Sequence, residues 1–269
     1  MTRAARAAFL VAMLGFCLAP IYWELVVSLK GVEDPVGSGN PWWPEAATLA
    51  HYGALLHSSL FGHWVLNTVL VAGVTILLSL ACSCLAAFAL AFLDVPLGRG
   101  IVLAFFATYL LPQGVLFVPL ARLMARLHLI DSPVALMITY PSLVIPFATW
   151  VMWSFFRSLP PELIDHARLE GAGVVATLRH VLLPLALPAV AAVSLFAIAV
   201  VFNDFLYAFT FIGHPENTTL MGGIGAFNVD LQDPGFTFAA ILLGGAPVAL
   251  LCAFFADTYA RGLGTGFID

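Results

Sequence analysis

Uninterrupted apolar runs constrain this chain more than any other feature. Residues 63–93 contain no Asp, Glu, Lys or Arg, and neither do residues 100–121 or 133–156. A helix that crosses a bilayer needs about 20 predominantly apolar residues. Three further runs meet that length: 7–29, with Glu24 near its far end, 181–212, which carries Asp204, and 236–256. Six spans predict an all-α membrane protein with six transmembrane helices. Composition agrees: 62% of residues are hydrophobic and 9% are charged, against about 25% charged in a typical soluble domain.

The first run follows Arg3 and Arg6, the pattern of a secretory signal. Its apolar stretch is longer than the roughly 7–15 residues of a signal core, and no small-x-small cleavage site closes it. It reads as a retained span. Residues 30–62 are rich in breakers (Gly31, Pro35, Gly37, Gly39, Pro41, Pro44) and contain Trp42 and Trp43, a pair suited to a membrane interface. A division follows: 1–62, an N-terminal span with an external loop, and 63–269, the core. Residues 94–99 form a tight turn, and 122–132 and 213–235 are loops. Prolines fall inside the spans at Pro20, Pro112, Pro119, Pro141, Pro146, Pro184, Pro188 and Pro247. Each removes a backbone donor and favours a kink.

Cationic residues mark the cytoplasmic side of membrane proteins. With a cytoplasmic N-terminus, Arg3, Arg6, Arg99, Arg157, Arg168, Arg179 and Arg261 lie inside, and Lys30, Arg122 and Arg126 lie outside. Seven against three predicts that both termini are cytoplasmic.

Several functions are excluded. No basic patch points to nucleic acid. The only lysine, Lys30, follows Leu29, so there is no Gly-Lys-Ser/Thr phosphate loop. Energy for any transport comes from another chain or from a gradient. Cys17, Cys82, Cys84 and Cys252 lie in apolar runs and read as small hydrophobes. His51, His57 and His63, six residues apart, read as loop histidines without metal-ligand spacing. No Ser/His/Asp grouping has the context of a nucleophile elbow.

Four polar residues inside the spans are candidates for a solute path: Asn203 and Asp204 in the fifth, Gln113 in the third and Asn67 early in the second. Intramembrane polar groups are costly and often functional; they also serve as caps and interhelix bonds. Both readings stand for these four.

One loop concentrates charge. Between Arg157 and Arg179 lie Glu162, Asp165, Arg168 and Glu170, giving six of the 25 charges in 23 residues. Pro160 and Pro161 precede a short predicted helix over 162–170, which Gly171, Ala172 and Gly173 break. The loop is either a docking surface or a solvated connection.

The stretch SLPPELIDHARLEGAGVVATLRHVLLPLALP, residues 158–188, resembles the cytoplasmic loop of bacterial ABC importer permeases. That loop reads E-A-A, three residues, G, nine residues, I-x-L-P. Asp165, His166 and Ala167 stand at E-A-A; Glu170, Gly171 and Ala172 stand where sugar permeases usually have D-G-A; Val181, Leu183 and Pro184 stand at I-x-L-P, with Pro188 as the second proline. The departures are Asp165 at the first position and His166 in place of Ala. FFRSLPPEL at 155–163 is similar to the approach to that motif. VVFNDFLYA at 200–208 is similar to the W-N-E-F segment of the maltose-type second permease, and ARGLGTGFID at 260–269 to that subfamily's tail. PLARLMARLHLIDSP at 119–133 also fits.

The resemblance implies a type I importer permease fold, with a coupling helix at about 162–172 that docks on a cytosolic ATPase. Glu162, Asp165, His166, Ala167, Arg168, Glu170, Gly171 and Ala172 would make that contact. It further implies a bacterial cytoplasmic (inner) membrane location and a sugar or sugar-like solute. The implied partners are a second, non-identical permease, two ATPase subunits and an external solute-binding protein. This chain itself would be no enzyme and hold no cofactor, with ATP and Mg on the ATPases. The alternative is a gradient-driven secondary transporter of a small polar solute. Such a protein would usually show inverted repeats and ionisable groups at the midplane, and apart from Asp204 this sequence shows neither.

Overall fold

A computed structural model describes residues 3–31, 40–93, 95–110, 113–160, 162–231 and 233–256, without the side chains of 113, 168 and 227–231. The tail at 260–269 lies outside the described residues. Every described element is helical. Four helices are long and apolar enough to cross a membrane, and six spans result if each of two bent pairs counts as one.

The long four are α1 (Arg3–Ser28), α3 (Ser59–Phe92), α6 (Pro133–Arg157) and α13 (Pro234–Phe254). They coincide with the first, second, fourth and sixth apolar runs. At 34 residues and 1.5 Å per residue, α3 is about 51 Å long, well beyond a hydrocarbon core of about 30 Å. Helix starts follow local chemistry. Ser132 accepts from the Val134 amide (3.2 Å) ahead of Pro133, and Asp233 accepts from Gly235 (2.9 Å) and Phe236 (3.2 Å) ahead of Pro234. A short polar cap followed by proline satisfies free amides and presets the first helical φ.

The bundle is organised on α3 against α6, with α10 (Leu187–Asn203) across both. Their buried faces are studded with small residues: Ala72, Thr75, Ser79, Ser83 and Ala87 on α3, Ala148 and Thr149 on α6, Ala189, Ala192 and Ala197 on α10. Small side chains let helices approach closely where lipid provides no hydrophobic drive for association. Thr68 and Thr75 donate to the carbonyls of Trp64 and Val71 one turn earlier, both at 2.7 Å. Helix α1 is exposed along most of its length and packs on α13.

Two apolar runs are not straight spans. The run 100–121 divides into α4 (Gly98–Tyr109) and α5 (Gln113–Arg126), turned by 90°. The run 181–212 is broken more than once. A segment comprising α8 (Val174–Thr177), a π-helical turn (Leu178–Leu182) and α9 (Leu183–Leu185) meets α10 at 85°. Pro184 and Pro188 explain this, because each removes the amide that its fourth-preceding carbonyl requires. Helix α10 then ends at Asn203. Asp204 is extended (φ −80°, ψ 121°), and a separate helix α11 (Leu206–Phe211) follows.

The histidines also differ from the sequence reading. Of His51, His57 and His63 none lies in a loop: His51 and His57 belong to α2 (Ala50–His57) and His63 to α3. His51 is 6% exposed. Its Nε2 donates to the Lys30 carbonyl (2.9 Å), and Nδ1 faces Asp233 Oδ2 at 3.6 Å. It thereby joins the end of α1 to the start of α13. A Cβ added at Gly235 would lie 2.6 Å from that imidazole. No metal-binding group of three His, Cys, Asp or Glu occurs among the described residues.

Candidate functional site

Three places in the fold gather the polar chemistry. The first is the charged loop. Helix α7 (Glu162–Leu169) turns its apolar side inward: Ile164 is buried with Phe155, Phe156, Leu178 and Leu182, and Ala167 is buried as well. Glu162, Asp165, His166 and Glu170 are exposed, and Ala172 is half-buried. His166 therefore replaces alanine at no cost to the internal packing. Arg168 is in the helix, but its side chain lies outside the described residues. The helix ends in a Schellman turn: the Ala172 amide donates to the Ala167 carbonyl (2.9 Å), with Gly171 between them at φ +79°. Glycine reaches that left-handed conformation without strain. Two residues that the motif comparison passed over complete the surface. Leu169 is 84% exposed and Val175 72%, so apolar side chains stand out among the charges. The signal in the sequence was an apolar residue on the polar side of a short amphipathic helix.

The second place is the break after α10. Asp204 Oδ2 accepts from the Tyr140 hydroxyl of α6 (2.7 Å) and from the amides of Tyr207 (3.1 Å) and Ala208 (3.2 Å). It caps α11 and ties it to α6, whose Tyr140 is fully buried. Asn203 is exposed and donates to the Ala199 carbonyl (2.8 Å). Asn203, Asp204, Ala199 and Val200 line a cleft of about 260 Å³. The other two candidates are elsewhere. Asn67 donates to the carbonyls of Glu216 (2.8 Å) and Thr218 (3.1 Å), the geometry of a packing strap. Gln113 stands at the first position of α5, and its side chain is outside the described residues.

The third place, not foreseen from sequence, is a strap at the Asp131 end of the bundle. Asp131 adopts φ +69°, donates its amide to the Phe211 carbonyl (2.7 Å) and accepts at Oδ1 from the amides of Gly213 (3.0 Å) and His214 (2.8 Å). Its Oδ2 also pairs with the His214 ring. These contacts, led by the His214 amide, hold the Asp131 carboxyl below the usual carboxylate range. Trp64 and Thr68 fasten the same loop from α3, by bonds to the Pro215 carbonyl (2.7 Å) and the Leu220 amide (2.8 Å).

A multi-span helical bundle with two broken spans, an exposed charged helix at one end and a strapped loop at the other defines a polytopic membrane protein. The family model for the inner membrane component of binding-protein-dependent transport systems matches residues 83–264, and the chain belongs to that family. The SmoH permease protein of a sulfoquinovosyl glycerol transport system, from Agrobacterium fabrum, is 32% identical over 93% of this chain and 88% of its own length. The MalG permease protein of a trehalose/maltose transport system, from Thermococcus litoralis, is 29% identical over 95% of this chain and 93% of its own. The fold is that of a chain in a bacterial ABC transporter involved in the import of the acidic polysaccharide alginate. The TM-score is 0.79 at 21% identity, covering 96% of this chain and 98% of that one. A chain of an alginate transporter in complex with an alginate pentasaccharide-bound periplasmic protein superimposes with a TM-score of 0.61.

Proposed function

We propose that this chain is the permease subunit of an ATP-driven importer that carries a sugar or sugar-like solute across the cytoplasmic membrane. The observation that carries the reading is near full-length similarity to permeases named for a sulfoquinovosyl glycerol system and a trehalose/maltose system. Helix α7 is the coupling element. Its buried Ile164 seats it on α6 and on the segment leading to α10, so a push on its outer face reaches the helix that ends at Asn203. Glu162, Asp165, His166, Glu170 and Leu169 present that face to a cytosolic ATPase, which holds the ATP and Mg; Arg168 belongs to the same helix, and Gly171 and Ala172 close it. Asn203 and Asp204 border the solute path. A second, non-identical permease and an external binding protein complete the system, with both termini of this chain cytoplasmic.

Polar groups at the α10 break need a water-lined or protein face rather than lipid, which a paired permease supplies. Reconstitution in lipid vesicles tests the proposal, with solute delivered by the cognate binding protein. Leaving out the second permease or the ATPase abolishes ATP-dependent uptake. Uptake by the purified single chain under a proton or sodium gradient would instead establish the secondary-transporter reading.

A further inference from the structure

Below Asn203 the α10 surface continues as a groove. The cleft at Asn203 and Asp204 shares Ala199 with a second, apolar depression of about 340 Å³, lined by Leu195, Phe196 and Ala199 of α10 and by Cys252 and Ala256 near the end of α13. Phe196, Ala199 and Asn203 recur at three- and four-residue spacing, which places them on one helix face. The seven-residue step from Phe196 to Asn203 spans about 10 Å along the axis. Helices α10 and α13 pack together, so the groove runs along the bundle and not across it. Its wall is aromatic: Phe196 lies 4.2 Å from Phe147 and 5.7 Å from Tyr109 between ring centroids.

We infer that this groove is the inward leg of the solute path, with Ala199 as its narrow point. The inference rests on the reading of Asn203 as a path residue. The order of the lining suits a polyhydroxylated ring. Asn203 and Asp204 present hydrogen-bonding groups at one end, while Phe196 offers a flat apolar face further along. Ligand channels combine apolar walls with a few placed polar groups in this way. Ala199, with its small side chain, lines both depressions where they meet.

The chain carries a natural probe. A thiol reacts as its thiolate, which forms in water and not in hydrocarbon. In the assembled transporter in lipid nanodiscs, Cys17, Cys82 and Cys84 are replaced so that Cys252 is the single thiol of this chain. A charged methanethiosulfonate reagent is then applied, with modification read by mass. Cys252 reacts roughly tenfold faster than Cys17 kept alone on exposed α1, since only the former would meet water. With the reagent supplied only from the Asn203 side of sealed vesicles, Ala199→Trp, or Ala199→Leu if the former does not assemble, lowers the Cys252 rate roughly tenfold by filling the junction of the two depressions. An Asn203→Cys variant in the cysteine-free chain separates the two claims. Fast reaction at 203 with slow reaction at Cys252 overturns the groove and leaves Asn203 on the path. Slow reaction at both sites overturns the path reading and the groove with it.

Discussion

At Gly171 the constraint is in the backbone and not in the space around it. A Cβ built there meets nothing within 4 Å, yet φ is +79°. Non-glycine residues in this conformation cost about 1 kcal/mol or more, and Asn tolerates it best. Gly171→Ala and Gly171→Leu should therefore lower the thermal stability of the isolated chain equally, with Gly171→Asn milder. ATPase binding should separate them: Leu abolishes the association that Ala retains in part, because the added bulk meets the partner and not this chain. Equal binding by the two variants would remove Gly171 from the contact.

Asp131 makes a pH prediction. Its carboxyl is held below its ordinary value by the amides and ring of the 213–214 turn. The stabilisation is complete above the ordinary value of about 3.9 and is lost as pH falls through the lowered one. The protection factors for hydrogen exchange at the Gly213 and His214 amides should hold down to about pH 4 and fall below it. Asp131→Ala, which removes the acceptor, should lose that protection at neutral pH as well.

Among the elements, the break between α10 and α11 is the least expected from sequence and the most tightly fastened. Tyr140 holds Asp204, and Asp204 caps α11, so a side chain on α6 sets where α10 ends. Removing one partner of a bond to a carboxylate costs about 1–2 kcal/mol, less when membrane surroundings supply a substitute. Tyr140→Phe should lower the stability of the reconstituted chain by that amount. Asp204→Ala should cost more, because it leaves the Tyr140 hydroxyl and two amides without their acceptor. Asp204→Asn, which keeps an acceptor oxygen, should be intermediate. Thermal unfolding of the three variants in lipid measures the order. If Asp204→Ala is fully stable, the cap is not what holds α11.

For the whole molecule, an odd number of crossings separates the Arg157–Arg179 loop from the Asp131 strap, since α6 alone joins the two ends of the bundle. A fluorescent reporter that matures only in the cytoplasm should therefore be bright when inserted after Gly173 or fused at the C-terminus, and dark when inserted at Pro215. The reverse pattern would invert the proposed orientation.

Spans α1, α3, α6 and α13 were legible because a bilayer demands long uncharged runs, and their bounds differ from the apolar runs by a few residues. Helix α7 was legible because charge, a proline pair and a glycine stop are local signals. The bends within the spans 100–121 and 181–212 were not, since hydropathy is indifferent to direction and carries a sharp bend as readily as a straight helix. Their prolines marked places where a turn was possible without stating its angle. What remained for tertiary structure are pairings across long separations. Asn67 meets the 216–218 carbonyls, Asp131 meets His214, and buried His51 lies between Lys30 and Asp233. The sequence determined that this chain lives in a membrane and where its short charged helix falls, because hydration and charge act residue by residue. Which polar groups strap the bundle and which line a cleft was decided only by packing, because a hydrogen bond depends on a partner that local sequence does not contain.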